Sequence, residues 1–320
     1  MQRLRVAVAG VGEFGRNHVR VVKQSARAEL VAVVDANAAR AAEIAAANGC
    51  TALTDARELA GKADAVIIAV PTTAHADVGC ALLEAGLDVL VEKPIAPDLA
   101  SADRLIQAAE ANQRILQVGH LERFNPAVVA VEKVARLPLF FEIHRMSVFS
   151  PRSLDTDVVL DLMIHDIDIL LSLVHREIEE IRAAGISVVT GKIDIANVRL
   201  QFEGGCVANL TASRVSTEKV RKLRLFQPNQ YISLDYSRQD AAMFSVGPER
   251  QISFQQLPVT KGEPLALQFD AFLNSVETRQ TPKLNGRAGR LSLRVALAIL
   301  AKIEEHSRVV AQSLVSGWKQ

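Results

Sequence analysis

The sequence predicts a two-domain α/β protein, in which an N-terminal doubly wound parallel sheet is followed by an α+β domain with an open, mostly antiparallel sheet. Residues 1–120 alternate short, continuous apolar runs with helical stretches, which is typical of parallel strands covered on both faces. From about residue 178 to 254 apolar residues recur at every second position, which is typical of strands with one buried face. At 320 residues the chain is long enough for two cores, and we place the domains at 1–120 and 121–320.

The first domain contains predicted strands separated by stretches with a helical pattern. The strands are Leu4–Ala9, Glu29–Val34, Ala65–Val70, Val89–Val91 and Ile115–Val118. The helices are Phe14–Ser25, Ala38–Asn48, His75–Ala85 and Ser101–Asn112. This regular alternation predicts right-handed crossovers between parallel strands.

The second domain has a different order of elements. A helix, a strand and a long helix are predicted at Pro126–Arg136, Phe140–Val148 and Val158–Val174. The later strands include a hairpin that turns at Glu203-Gly204-Gly205. Closing helices are predicted at Pro264–Thr278 and Arg287–His306, and the last is a candidate for packing back on the first domain. An open antiparallel sheet has one free face, so we expect a homodimer or homotetramer formed through it.

A glycine-rich turn follows the first strand, with the spacing Gly10-x-Gly12-x-x-Gly15. Gly10 allows a sharp turn, Gly12 lets a pyrophosphate approach the backbone, and Gly15 lets the next helix pack close to the strand. The N-terminus of that helix offers free N–H groups to phosphates. This is the Rossmann arrangement for binding a dinucleotide, and we assign Glu13 and Phe14 of the turn to the same cofactor site.

The second apolar run, Leu30–Val34, ends in Asp35. An acidic residue about 20 positions beyond such glycines binds the ribose hydroxyls of the adenosine. Ala36 and Asn37 follow without an immediate arginine for a 2′-phosphate, so the pattern favours NAD over NADP. The alternative is a glycine turn followed by a surface carboxylate.

The third strand ends in Val70-Pro71-Thr72, and His75 follows closely. Open α/β sheets bind ligands beyond the carboxyl ends of their strands, so we expect these four residues to line a cofactor ribose. Thr72 is alternatively a cap for the helix that starts at His75.

Glu92-Lys93-Pro94 follows the fourth strand at the same edge of the sheet. A lysine held there can donate a hydrogen bond to a substrate oxygen, and we also assign Glu92 and Lys93 to the cofactor site. The alternative is a surface lysine that precedes a loop proline.

The long helix of the second domain carries Asp161 and His165, which are four positions apart and would share one face of a regular helix. A carboxylate beside a histidine raises its basicity and fixes its tautomer, as a general base acting on an alcohol requires. The alternatives are a buried structural histidine and a metal site formed with Asp166 and His120. Since Asp166 points about 100° away from His165 on a helix, we expect no metal.

The segment from Gly119 to Pro126 lies at the predicted domain boundary. We assign His120, Arg123 and Asn125, together with His165, to the binding of a polyhydroxylated or phosphorylated substrate. An equally weighted alternative is that Arg123 and Asn125 only stabilise the structure at the domain boundary. The sequence indicates no partner for His18.

Composition restricts the class of protein further. The net charge is +1 and the pI about 7.8, so the sequence indicates no nucleic-acid or membrane partner. Three scattered cysteines predict neither a disulfide framework nor a zinc ribbon. The first strand begins too close to Met1 for a signal peptide, and no apolar run reaches the ~18 residues of a membrane span. We therefore expect a cytoplasmic protein that acts on a small molecule.

Three motifs in this order resemble the Gfo/Idh/MocA family of sugar and cyclitol oxidoreductases: Gly10-x-Gly12-x-x-Gly15 with His18, Glu92-Lys93-Pro94, and Asp161-x-x-x-His165. The resemblance covers nearly the whole chain and implies a Rossmann domain followed by an α/β domain that mediates oligomerisation. It also implies that His165 takes the hydroxyl proton, Lys93 orients or polarises the oxygen, and Asp161 tunes the site.

Within that family, two segments are similar to members that oxidise UDP-N-acetylglucosamine at C3: Gly119–Pro126, and Leu225–Pro228 with Tyr231–Tyr236. This similarity implies an NAD-dependent enzyme whose 3-keto UDP-sugar goes to a partner aminotransferase for lipopolysaccharide synthesis. Met163 stands where many relatives have glycine in Asp-x-Gly-x-His, which is expected to reshape the pocket. The alternatives are a dehydrogenase of a free sugar, inositol or sugar acid, and a non-catalytic NAD-binding redox sensor.

Overall fold

The computed structural model describes residues 3–150 and 156–317. They form two compact units, one built from residues up to Leu121 with Glu263–Leu293, the other from Glu122–Gly262 with residues from Arg294 onward. The units differ from the predicted division at residue 120 because Glu263–Leu293 group with the first unit rather than the second.

The first unit, in its described residues, is built on a six-stranded parallel sheet. The strands are β1 (Leu4–Ala9), β2 (Ala28–Val34), β3 (Thr51–Leu53), β4 (Ala65–Ile68), β5 (Asp88–Glu92) and β6 (Leu116–Gly119). The helices between them are α1 (Glu13–Gln24), α2 (Ala38–Asn48), α3 (His75–Glu84) and α4 (Leu99–Ala111).

The strand order in this sheet is β3-β2-β1-β4-β5-β6, with parallel neighbours throughout the described strands. It is the order of a Rossmann sheet, in which β1 and β4 flank the point where the winding reverses and ligands bind. The predicted doubly wound domain is confirmed. Strand β3 was not predicted, because three residues with one buried side chain give too short an apolar pattern to indicate a strand.

The second unit begins with α5 (Pro126–Glu132), β7 (Phe140–Val148) and α6 (Ile164–Val174). Its other strands are β8 (Ile178–Ile186), β9 (Ile195–Phe202), β10 (Val207–Ser216), β11 (Val220–Gln227), β12 (Gln230–Asp235), β13 (Asp240–Val246) and β14 (Ile252–Gln256). The sheet order is β14-β13-β12-β11-β7-β10-β9-β8. Among the described strands β7 and β10 pair in parallel and the other neighbours pair antiparallel, which confirms the predicted mostly antiparallel sheet.

The eight-stranded sheet has an inner and an outer face. On β7, Phe141 and Ile143 are buried, whereas Phe140 and Glu142 are partly exposed. The buried residues share one hydrophobic core with α5 and α6. Alternate side chains of β7 therefore point into the core beneath the helices, and those between them point to the more exposed outer face.

The predicted helix Val158–Val174 is wrong in one respect. Val159–Met163 form a π-helical turn that precedes α6. The widened turn changes the rotation between residues, so Asp161 and His165 are not related by the regular α-helical geometry that the prediction assumed. Such π turns occur frequently at functional sites.

The chain returns to the first unit with α7 (Pro264–Thr278) and the beginning of α8 (Gly286–Gly317). Phe269 and Phe272 of α7 are buried in the same core as β1 and β2. A Cβ at Gly289 would lie 2.6 Å from Val118, so the start of α8 packs directly against β6. These contacts explain why Glu263–Leu293 belong to the first unit.

In the described ranges, no helix is both long enough and apolar enough to cross a membrane. Cys50, Cys80 and Cys206 are free thiols. Burial raises the pKa of the Cys206 thiol to about 11, so this residue stays protonated at neutral pH.

Candidate active site

The glycine turn after β1 leaves room for a pyrophosphate. Gly10 has φ = +87°, and a Cβ there would lie 2.5 Å from the backbone of Ala69. A Cβ at Gly15 would lie 1.8 Å from the carbonyl oxygen of Gly10, so α1 packs directly on the turn. A Cβ at Gly12 would meet no described atom within 4 Å. The turn therefore joins a tight backbone to an open approach at the N-terminus of α1, and these residues fit a dinucleotide.

Asp35 lies directly after β2, and backbone hydrogen bonds hold its carboxylate beside the glycine turn. Val11 N donates to Asp35 Oδ2 at 3.1 Å, and Asn37 N donates to Oδ1 at 2.9 Å. The side chain is only 10% exposed. This is the position from which an acid accepts hydrogen bonds from the hydroxyls of an adenosine ribose.

Arg40 lies in the first turn of α2 and was not among the residues predicted for the cofactor site. Asn37 caps this helix by accepting a hydrogen bond from Arg40 N at 3.0 Å. The Arg40 guanidinium then lies 3.4 Å from Asp35 Oδ2. An arginine at this position is the residue type that binds a 2′-phosphate, but here it faces a carboxylate. Its position five residues after Asp35 is the signal that could have identified it.

Glu92 ends β5 and is buried against α1. Its Oε1 lies 2.8 Å from His18 Nε2, and Lys93 N donates to Oε2 at 3.3 Å. A Cβ at Gly119 would lie 2.7 Å from Oε1, so glycine leaves the space that the carboxylate occupies. His18 therefore has a partner that the sequence does not indicate, and it joins α1 to the segment that carries Lys93.

Residues predicted to line the cofactor lie at the carboxyl edge of the parallel sheet. Glu13 and Phe14 begin α1 and are exposed. Val70 and Thr72 are partly exposed and Pro71 is exposed, just beyond β4. These side chains are accessible to a ligand bound at the turn.

His75 has a structural role in the first unit. Its Nε2 lies 3.0 Å from Val70 O and its Nδ1 lies 3.0 Å from Pro94 O. Burial lowers the pKa of His75 although both carbonyl partners act in the opposite direction. The imidazole thus ties the end of β4 to Pro94, whose peptide bond with Lys93 is cis. Thr72 does not cap α3, since the helix starts without a side-chain cap.

Asp161 and His165 lie on consecutive turns of one helical segment in the second unit. Asp161 is half-buried in the π turn, and His165 is 9% exposed at the start of α6. Met163, between them, is 1% exposed and belongs to the hydrophobic core. The side chain that replaces the expected glycine is therefore part of the packing beneath the π turn.

A buried ion-pair network fixes the residue that follows His165. Arg145 on β7 binds both oxygens of Asp166 at 2.8 Å and Glu122 Oε1 at 2.9 Å. Its guanidinium carbon lies 4.9 Å from the centre of the Tyr236 ring. Burial acts to lower the pKa of Arg145, but the charges of Asp166 and Glu122 outweigh it and raise this pKa well above its ordinary value. The network attaches α6 to the inner face of the sheet.

Arg123 and Asn125 use their polar groups inside the second unit. Arg123 Nη1 lies 3.3 Å from Asp168 Oδ2 and also contacts the Asp168 carbonyl. The Asn125 side chain caps α5 by accepting from Ala127 N at 3.1 Å, and its amide donates to Glu122 at 3.1 Å. These contacts favour the structural alternative for both residues. His120 is 1% exposed after β6, and Lys93 is partly exposed.

Among the described residues no three or more His, Cys, Asp or Glu side chains are grouped as metal ligands. Asp166, a member of the alternative metal set, has both carboxylate oxygens bound to Arg145.

Comparison with protein families shows which proteins share this arrangement. Residues 4–120 match the model of an oxidoreductase family with an NAD-binding Rossmann fold, and residues 139–228 match the GFO/IDH/MocA C-terminal domain. This chain belongs to the Gfo/Idh/MocA family. As a member of this oxidoreductase family, the protein is a dehydrogenase, and the resemblance drawn from its three motifs is confirmed.

Several Gfo/Idh/MocA relatives are similar over much of the chain. UDP-N-acetylglucosamine 3-dehydrogenase from Acidithiobacillus ferrooxidans is 36% identical over 95% of this chain and 98% of its own length. A solved structure of that enzyme matches with a TM-score of 0.90, covering 95% of this chain and 99% of the other. Inositol 2-dehydrogenase from Rhizobium meliloti is 32% identical over 67% of this chain and 70% of its own. Levoglucosan dehydrogenase, solved with NADH and levoglucosan, is 18% identical with a TM-score of 0.86, which shows the shared fold.

Proposed function

We propose that this protein is an NAD-dependent dehydrogenase that oxidises C3 of UDP-N-acetylglucosamine to a 3-keto nucleotide sugar. The observation that carries the proposal is the extent of similarity, which is 36% identity over 95% of the chain to an enzyme with that activity. The inositol dehydrogenase similarity leaves about a third of this chain unmatched, since it covers 67%.

In the proposed reaction, His165 accepts the proton of the substrate hydroxyl, because a neutral imidazole is an effective base near pH 7. Lys93 donates a hydrogen bond to the substrate oxygen and stabilises the negative charge that develops there. Asp161 orients His165 and increases its basicity. NAD, when bound, accepts the hydride. The alcohol carbon thus loses its C–H electron pair, the oxygen loses its proton, and a ketone forms.

We assign the cofactor to Gly10, Gly12, Gly15 and Asp35, and we propose NAD rather than NADP because Asp35 repels a 2′-phosphate. We keep His120 as a substrate contact. Arg123 and Asn125, whose polar groups bind other residues of the second unit, affect the substrate through the position of α5 and α6.

The test is to incubate the protein with NAD and each of UDP-N-acetylglucosamine, N-acetylglucosamine and myo-inositol. Mass spectrometry identifies the ketone, since a tightly bound cofactor would conceal the absorbance of free NADH. We expect a 3-keto sugar from the UDP-sugar alone. Lys93→Ala and His165→Ala should each lower kcat by a factor on the order of 10²–10⁴. The exposed α7 residue Leu267 supplies the control variant Leu267→Ala. Unchanged turnover in both active-site variants would contradict the catalytic assignment.

Two other candidates give different results in the same assay. Inositol oxidation without oxidation of the UDP-sugar would favour the second candidate, to which the similarity with inositol dehydrogenases points. NAD binding without turnover of any sugar or cyclitol would favour a redox sensor. Activity that survives exhaustive chelation would exclude a metal-dependent reaction.

We further propose that the 3-keto product goes to an aminotransferase, because a ketone is the substrate that transamination requires, and that the pathway makes lipopolysaccharide amino sugars. The protein is proposed to form a homo-oligomer through the outer face of the eight-stranded sheet. Aromatic rings of successive strands contact one another there in one row, in the order Phe140, Phe226, Tyr231, Phe244 and Phe254. Phe254 is 60% exposed, so the row presents an apolar surface to a partner copy.

A further inference from the structure

Two arginines lie side by side on the inner face of the eight-stranded sheet. Arg221 on β11 is the direct cross-strand neighbour of Arg145 on β7. The Arg145 side chain is 3% exposed, and each of its three nitrogens donates a hydrogen bond to Asp166 or Glu122. The Arg221 side chain is 32% exposed and has a different environment.

Among the described residues, the partly buried Arg221 guanidinium has no hydrogen-bond partner. The Glu122 Oε1 atom is 3.7 Å from Arg221 Nη1, beyond hydrogen-bond distance. The Arg221 Nε is buried and has no hydrogen-bond partner among the described residues. Buried charged groups are normally paired, because desolvation without a partner is costly. The exposed third of the Arg221 side chain is therefore accessible to a ligand.

Arg221 is the most exposed of the inward-facing residues of β11. Leu223 and Leu225 point to the same inner face of β11 and are 1% and 0% exposed. Arg221 therefore lies at the end of the strand where the inner face meets solvent. Burial and the charge of Arg145 lower the pKa of Arg221, while Asp161 is among the carboxylates that act to raise it.

We propose that Arg221 binds the diphosphate of a nucleotide-sugar substrate, an inference that rests on the function proposed above. A guanidinium presents a planar fork of donors that matches two phosphate oxygens. The neighbouring carboxylate of Glu122 is already engaged by Arg145 at 2.9 Å, which reduces its repulsion of an incoming anion. Arg221 is then a specificity residue that distinguishes a nucleotide sugar from a free sugar or cyclitol.

The test compares wild type, Arg221→Met and Arg221→Lys, with Arg238→Gln as control because Arg238 is an exposed arginine in the same unit. Losing charged hydrogen bonds should raise KM for UDP-N-acetylglucosamine roughly 10- to 100-fold in Arg221→Met. The value of kcat should change far less, and Arg221→Lys should show a smaller rise in KM. Calorimetric titration with UDP should show the same loss of affinity, and an unchanged circular dichroism spectrum and unfolding midpoint verify that each variant is folded.

The outcomes separate this inference from the proposed function. If wild type oxidises the UDP-sugar and Arg221→Met has unchanged KM and UDP affinity, the inference is wrong and the function stands. If wild type oxidises no UDP-sugar, the proposed function fails. In that case UDP binding that is lost in Arg221→Met still supports a diphosphate site, whereas absence of UDP binding to wild type overturns it.

Discussion

At the scale of single residues, the Asp35 carboxylate both holds the backbone of the turn after β2 and carries the charge beside Arg40. It accepts hydrogen bonds from Val11 N and Asn37 N, which hold the turn after β2. It also carries the charge that faces Arg40 at 3.4 Å. An amide side chain of the same shape removes the charge but keeps one acceptor oxygen, so it can accept only one of these two backbone hydrogen bonds.

We expect Asp35→Asn to raise kcat/KM for NADP relative to NAD by roughly tenfold or more, because a 2′-phosphate then meets Arg40 without a competing carboxylate. Steady-state kinetics with both cofactors measure this ratio. Adding Arg40→Met should cancel the gain, and Arg40→Met alone is the matched control. An unchanged ratio in Asp35→Asn would show that this carboxylate does not select the cofactor.

At the scale of elements, α6 is attached to the sheet by buried charges. Arg145 holds Asp166, and Arg123 contacts Asp168, so two arginines bind acids on the same helix. Burial acts to raise the pKa of Glu122, but the charge and hydrogen bond of Arg145 outweigh it, and the net pKa lies below its ordinary value. Taking these groups from water is costly, and good ion-pair geometry offsets that cost.

Arg145→Met should lower the free energy of unfolding by about 3–5 kcal/mol, because it leaves buried carboxylates without their partner. Arg182→Met is the control, since Arg182 and Glu180 form an exposed pair whose loss should cost less than about 1 kcal/mol. Denaturant unfolding monitored by circular dichroism measures both changes.

The ion pair between Arg145 and Glu122 predicts that stability depends on pH. Since the pKa of Glu122 is lowered in the folded state, its contribution to stability is complete above the unfolded-state pKa of about 4.3 and is lost as pH falls through the folded value. The difference between wild type and Arg145→Met should therefore shrink in acid. A difference that is constant from pH 7 to pH 3 would contradict the assignment of this ion pair.

At the scale of the whole molecule, the outer face of the eight-stranded sheet exposes large apolar side chains, among them Phe226, Phe244 and Phe254. Its aromatic row runs across strands in direct register, as Phe226 opposes Tyr231 and Tyr231 opposes Phe244. Neighbouring rings that contact one another across the strands present a continuous apolar surface rather than scattered apolar residues.

We expect the double variant Tyr231→Asp with Phe244→Asp to shift the protein to a smaller species in analytical ultracentrifugation, because buried unpaired charges prevent association. Leu267→Asp, which places the same charge on the exposed surface of α7, should leave the sedimentation coefficient unchanged. A wild-type protein that sediments as a monomer would exclude the proposed oligomer.

The local parts of the fold and the site follow from the sequence because their signals lie within one or two elements. The glycine turn and Asp35 depend on the spacing between residues, and the strands of the second sheet depend on a period of two. The π turn before α6 could not be predicted from the sequence, since the apolar pattern of Val158–Val174 fits a regular helix equally well.

The tertiary structure alone decided which distant residues meet. His18 and Glu92 are 74 positions apart, and nothing in the pattern around either residue selects the other. The sequence likewise does not indicate that Arg145 pairs closely with Asp166 whereas Arg221, the same residue type on the neighbouring strand, lies 3.7 Å from its carboxylate neighbour Glu122. Periodicity specifies which face of an element is buried, whereas the partner of a buried charge depends on how separate elements pack.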